Sequence, residues 1–147
     1  FAGCNDDPVF PAEPQIEFVD IQPRIVTSLQ DSIVVTFRFQ DGDGDLGALS
    51  EGEENLFLID NRYNQGLISE EQATNPFSVM NLTPDARNPS IQGTISVTIP
   101  LTAKVTPNPN ETTKYQIKLY DRAGNLATPL NGDPDNVVFT DEITIVQ

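Results

Sequence analysis

Ser32-Ile33-Val34-Val35-Thr36-Phe37-Arg38-Phe39-Gln40 is the stretch on which the reading of this chain turns. Ile33, Val35, Phe37 and Phe39 share one side of a two-residue period, and Ser32, Thr36, Arg38 and Gln40 fall largely on the other. That is the pattern of a strand with one face in a core. Working outward, Ile91, Ile95, Val97 and Ile99 alternate with Gln92, Thr94, Ser96 and Thr98 as far as Pro100, and Tyr115, Ile117 and Leu119 alternate with Lys114, Gln116 and Lys118. Leu56-Phe57-Leu58-Ile59 is apolar throughout, which predicts a central strand covered on both faces. Ile16-Glu17-Phe18 slips phase at Val19-Asp20-Ile21, so a bulge or a switch between sheets is expected before Pro23. Val137-Val138-Phe139 and Ile143-Thr144-Ile145 are out of phase across Asp141-Glu142, where a second bulge is expected.

The composition agrees. Ile, Val and Thr total 36 residues against 20 for Ala, Lys and Glu, and β-branched side chains suit a pleated surface better than a helix. Twelve prolines, with Asn, Asp and Gly, cut the chain into short runs. Between Asn61 and Asn88 the alternation weakens. There Ser69-Glu70-Glu71-Gln72 has capping-box spacing and predicts a short helical turn near 69–75, with Phe77-Ser78-Val79 as a short edge strand. The expectation is an all-β, two-sheet antiparallel sandwich of about seven strands, formed as one domain over 15–147.

Charge and missing residue types remove whole classes of function. With 22 Asp and Glu against 8 Lys and Arg the formal charge is −14, which repels phosphate backbones and excludes a nucleic-acid partner. There is no His, no Trp and one Cys. Imidazole bases, Ser/His/Asp or Cys/His constellations, His-ligated zinc and disulfides are therefore absent. Paired carboxylates could cleave glycosides, but that chemistry needs a sugar cleft, and three tyrosines without Trp supply few aromatic platforms. No enzymatic activity is expected.

The sharpest chemical feature is Asp41-Gly42-Asp43-Gly44-Asp45-Leu46-Gly47, directly after the strand quoted above. Carboxylates at alternate positions with Gly between them let a tight loop aim hard oxygens at one point, as Ca2+ requires. The stretch starts like an EF-hand loop, but Leu46 stands at the sharp-turn Gly position and Gly52 at the position of the closing Glu. An EF-hand is not expected, and Ca2+ would need further ligands from elsewhere. Residues 41–54 hold six acids and no base, so the side chains repel one another unless a cation intervenes. The competing reading is a solvated acidic turn whose Asp and Gly only serve loop geometry.

Phe1-Ala2-Gly3-Cys4 resembles the lipobox of bacterial lipoproteins, with Phe1 where Leu is usual. The resemblance implies that Cys4 carries a diacylglycerol and that residues 1–3 are a signal remnant. Asn5-Asp6-Asp7-Pro8 resembles the acidic export signal that sends Bacteroidetes lipoproteins to the outer face of the outer membrane. Residues 1–14 would then be remnant, lipidation site and Pro-rich tether, reaching about 34 Å over residues 5–15 if extended. No stretch is apolar and long enough to span a bilayer, so the lipid would be the anchor.

Tyr115-Gln116-Ile117-Lys118-Leu119-Tyr120-Asp121-Arg122-Ala123-Gly124-Asn125 resembles the sixth strand and following turn of bacterial immunoglobulin-like and fibronectin type III-like domains. The resemblance implies that Tyr115 is a tyrosine-corner residue whose hydroxyl bonds to upstream backbone. It also implies that the loops after the second and sixth strands share a pole, so that Asp121 and the turn Asp133-Pro134-Asp135 would join Asp41, Asp43 and Asp45 around the ion. The functional expectation is a lipid-anchored, non-catalytic binding or assembly module at the cell surface, with a structural Ca2+ and a protein partner in an outer-membrane complex. The alternatives are a glycan-capturing accessory lipoprotein of a polysaccharide uptake system and a plain structural spacer.

Overall fold

Wherever the two-residue period is clean, the backbone is extended and paired. The computed structural model describes residues 10–80, 90–130 and 132–147. Cys4 and the acidic residues that follow it lie outside the described residues. The elements in chain order are β1 (Gln15–Gln22), β2 (Ile25–Thr27), β3 (Ile33–Asp41), β4 (Leu56–Asp60), α1 (Glu70–Ala73), β5 (Thr74–Phe77), β6 (Ile91–Ile99), β7 (Asn110–Thr113), β8 (Tyr115–Leu119), β9 (Thr128–Pro129), β10 (Val138–Phe139) and β11 (Ile143–Val146). A 3-10 turn covers Asn61–Tyr63. The fold is all-β and sandwich-like.

The first sheet has the order β6-β3-β1-β9, the second β10-β8-β4-β5 and the third β2-β11-β7. Both expected bulges are present. Partners sum to one register up to Phe18↔Phe37 and to the next from Asp20↔Thr36, leaving Val19 as the extra residue, 44% exposed. Likewise Phe139 faces Gln116 but Ile143 faces Thr113, which leaves one residue too many on the last strand across Asp141-Glu142. The third sheet therefore carries on the hairpin of the second past this break, and β2 joins it after the chain leaves β1. Breaks of this kind, together with the two-residue β9, turn about seven expected runs into eleven strands among the described residues. The pairing is also mixed, because β9 runs parallel to β1 and β2 parallel to β11.

Ile33, Val35, Phe37 and Phe39 are buried, as their alternation requires, and meet Leu56, Leu58, Tyr115, Ile117 and Leu119 of the second sheet. Each such side chain contributes roughly 1.5–3 kcal/mol on burial. β4 is central between β8 and β5, but its outer face, Phe57 and Ile59, is half-buried rather than enclosed. Phe57 instead meets Tyr120 edge to face at 6.1 Å. α1 follows its capping box: the Ser69 hydroxyl accepts from Gln72 N at 3.2 Å and the Gln72 side chain accepts from Ser69 N at 2.9 Å. The edge strand lies earlier than expected, at 74–77, because buried Ala73 feeds the helix directly into it.

Two polar features decide where chemistry is possible. Asp60 extends the buried face of β4 and meets Arg62, which also meets Glu111, all nearly inaccessible. Arg62 uses all five of its N–H groups, on Asp60, Glu111, Thr102 and the Ala103 carbonyl. Asp60 also accepts from Thr113 Oγ1 at 2.6 Å, and Glu111 accepts from Val105 N and Thr106 N, so every carboxylate oxygen has a donor. Tyr115, beside this cluster, departs from expectation. Its hydroxyl is buried without a hydrogen-bond partner and lines a cavity of about 140 Å3 with Asp60, Arg62 and Thr102. The backbone bond of a tyrosine corner is not made; the ion cluster occupies that side of the ring.

Candidate metal centre

β3 ends at Asp41, which still pairs with Ile91 of β6. Its side chain therefore continues the inward row of Ile33, Val35, Phe37 and Phe39, a carboxylate on the core side of a strand. The chain then turns. Gly44 and Gly47 take φ of 67° and 103°, which side chains with a Cβ rarely adopt, and Leu46 drops into the core with no exposure. The loop is fastened from the next pole loop: Leu46 bridges to Asp121, and Arg122 N donates to the Asp45 carbonyl at 3.0 Å. Asn55 closes its far end by exchanging side-chain bonds of 2.8 and 2.9 Å with the Val79 backbone.

The result brings Asp41, Asp43 and Asp45 together, with one carboxylate oxygen from each lying within 4.8 Å of the others. Ligands on opposite sides of a Ca2+ ion stand about 4.6–5.2 Å apart, twice the usual 2.3–2.6 Å bond, so one ion can touch all three. Asp41 is 0% exposed, and neither of its oxygens has a hydrogen-bond partner; Asp45 Oδ1 is in the same condition. Burial first, and then the charges of Asp43, Asp45 and Asp121, push Asp41 up to about 7. Asp45 is pushed up to about 6, again by burial first, with Asp43 and Asp121 adding to it. Asp43 moves the other way: burial opposes its charge, but bonding with Asp45, including the Asp45 N–H at 3.3 Å, outweighs this. Without a cation these carboxylates could bond to one another only by holding a proton between them.

No protein-family model, curated protein or solved structure matches this chain.

Of the other residues singled out from the sequence, Asp121 is buried beside the triad, near enough for its charge to act on Asp41 and Asp45. Its oxygens accept from Asn125 N at 2.7 Å and Asn125 Nδ2 at 3.0 Å, which fixes the turn and leaves lone pairs free. Asp133 and Asp135 are not in the group. They are exposed, and Asp133 Oδ1 accepts from Asp135 N at 2.9 Å, so that turn closes on itself. Two participants were not anticipated. Arg122 is the base that the 41–54 stretch lacks, but its guanidinium donates to the Gly47 carbonyl at 2.9 Å, not to a carboxylate. The other is the segment Phe10–Pro14, part of the stretch read as a tether, which lies against the loop: Gly42 N donates to the Pro11 carbonyl at 2.8 Å. The position of Arg122 next to Asp121 was the available signal for the first; a glycine flanked by two aspartates was the signal for the second.

Proposed function

We propose that this chain is a non-catalytic binding or assembly module in which Asp41, Asp43 and Asp45, with Asp121 beside them, hold a structural Ca2+ ion. One observation carries the reading: a wholly buried Asp41 carboxylate that has no donor for either oxygen, facing two further carboxylates. Burying an unpaired charge is expensive, and in practice the group binds a proton or a metal. The ligand set is all oxygen and carboxylate-rich, which selects a hard cation; zinc and copper prefer nitrogen or sulfur. A filled site would lock the loop after β3 to the loop after β8 and present a stiff pole.

The wider setting is proposed on sequence grounds. The lipobox-like Phe1–Cys4 and the acidic residues after it support a Bacteroidetes-type lipoprotein on the outer face of the outer membrane, anchored by lipid on Cys4. The immunoglobulin-like reading is supported by β1, β3 and β6 sharing one sheet and β4, β8 and β10 the other, the arrangement of strands A, B, E and C, F, G in such sandwiches. In that setting the stiffened pole is the surface offered to a protein partner in a membrane complex.

The test is removal of the ion. Full-length protein is melted after exhaustive chelation and again with added Ca2+; the reading expects a lower melting temperature on chelation and full recovery on readdition, and an unchanged melt refutes it. Co-purification of a membrane complex after mild detergent extraction supports the assembly role, whereas Ca2+-dependent retention on glycan arrays would move the assignment to glycan capture.

A further inference from the structure

Phe10–Pro14 is built into the acidic pole at several points. The Pro11 carbonyl accepts from Gly42 N at 2.8 Å, and the Pro14 carbonyl accepts from Thr128 N at 3.0 Å, with Pro14 itself buried. From the other side Ser90 Oγ donates to the Gly42 carbonyl at 3.1 Å. The approach is so close that a Cβ on Gly42 would stand 2.1 Å from the Phe10 carbonyl oxygen and 2.6 Å from that of Pro11. No left-handed φ is needed at Gly42, so glycine is required there by contact with this segment and not by backbone conformation. Gly42 is also the single residue between Asp41 and Asp43.

We infer that Gly42 and Pro11 are positioning residues of the cation site. Docking of Phe10–Pro14 sets the path of the chain between Asp41 and Asp43, and cation binding in turn fastens the segment to the loop. The inference rests on the Ca2+ reading above. Linkage makes it reciprocal: whatever factor the docked segment adds to cation affinity, the cation adds to docking of the segment. One consequence is mechanical. Phe10 and Pro11 lie at the cation pole, so tension applied through this segment falls first on the contact that the ion would secure.

Two measurements on the full chain test this. Calorimetric titration with CaCl2 compares the unmodified protein with Gly42→Ala, which keeps every carboxylate; the variant should bind roughly tenfold more weakly, within the usual range of coupling between sites. Amide hydrogen exchange at Ala12, Glu13 and Gly42 of the unmodified protein should slow on adding Ca2+, and by a larger factor than at Ile25–Thr27, near the opposite end of β3. A folded Gly42→Ala with unchanged Ca2+ affinity overturns the inference. So does exchange at Ala12 and Glu13 that ignores Ca2+ in a protein that binds it, and this second measurement decides the matter should the variant not fold. A chain that takes up no Ca2+ at all overturns the cation reading and this inference together, an outcome seen in the first titration and distinct from the other two.

Discussion

Replacing Asp41 by Asn should change the protein's stability in opposite directions depending on whether Ca2+ is present. Asp41 is wholly buried, and burial first, with the neighbouring carboxylates, pushes its pKa from 3.8 up to about 7. A rise of about three units at about 1.36 kcal/mol each means that ionising this side chain costs the folded state about 4 kcal/mol once the pH exceeds 7. Asn carries no charge, and its amide can donate to Asp43 or Asp45, so at pH 8 with chelator Asp41→Asn should be the more stable protein. For a domain of this size about 2–4 °C accompanies each kcal/mol, which puts the gain at about 10 °C. With Ca2+ at about 100 times its dissociation constant the unmodified protein gains about 2.7 kcal/mol. The variant, lacking the buried carboxylate, should gain less than a third of that.

The pH dependence follows from the same shift. A carboxylate whose folded pKa lies above its unfolded value contributes most to stability when protonated, below about pH 4, and loses that contribution as the pH rises through about 7. Asp45, raised to about 6, acts in the same direction. The metal-free protein should therefore soften between pH 4 and 8, and Asp41→Asn should flatten that slope. Scanning calorimetry at pH 5 and 8, with chelator and with Ca2+, gives all the comparisons. Should Asp41→Asn lower the melting temperature equally with and without Ca2+, the carboxylate is neither strained nor a ligand, and the reasoning fails.

Arg62→Met should cost about 3–5 kcal/mol in urea unfolding, because it leaves the buried carboxylates of Asp60 and Glu111 without their cation; a loss below 1 kcal/mol would show that water reaches them. Glu111 is held at about 2 in spite of burial, by bonds from Thr106, Arg62 and Val105. Its contribution is therefore present above pH 4.5 and lost as the pH falls toward 2, and Glu111→Gln should remove that part of the acid limb in a pH series of melts. Asp133→Asn with Asp135→Asn should leave Ca2+ affinity within twofold of the unmodified protein, whereas Asp43→Asn should lower it by at least tenfold in the same titration. Phe37→Ala should cost about 3–5 kcal/mol by opening a cavity between the sheets, read by the same urea melts.

What could be read from the sequence was what is local. The faces of β3, β6 and β8, the two phase slips and the capping box each depend on a few consecutive residues, and each appears where the pattern placed it. The parallel pairs were not legible, since Thr128–Pro129 and Ile25–Thr27 are too short to show a period and acquire their structure from β1 and β11. The Asp60–Arg62–Glu111 cluster was missed for a different reason. Asp60 falls on the inward side of Leu56 and Leu58, and Glu111 on the inward side of Thr113 and Tyr115. A carboxylate in phase with a buried face was the signal. The same signal at Asp41 was overshadowed by the Asp-Gly alternation after it, which pointed to the same three clustered residues on loop geometry alone.

Those two carboxylate groups give the strongest argument about what the molecule holds. Both are buried by the same device, an acid extending the inward row of a strand, and both gather charges distant in sequence. In one, Arg62 and a set of backbone and hydroxyl donors reach every oxygen. In the other, the nearby arginine, Arg122, turns its guanidinium to backbone carbonyls and leaves the Asp41 oxygens without a donor. A chain that neutralises one buried carboxylate group so fully does not lack the means to neutralise the second. Had Arg122 been directed at Asp41, it would fill the space between three converging carboxylates and compete with any cation there. Bonded to Gly47, it braces the loop from outside and leaves that space clear, as the proposed ion requires. Reversing this choice with Asp43→Lys, at an exposed position of ordinary φ beside Asp41, should abolish Ca2+ uptake while raising metal-free stability; were both unchanged, the unpartnered carboxylate would have no bearing on metal binding.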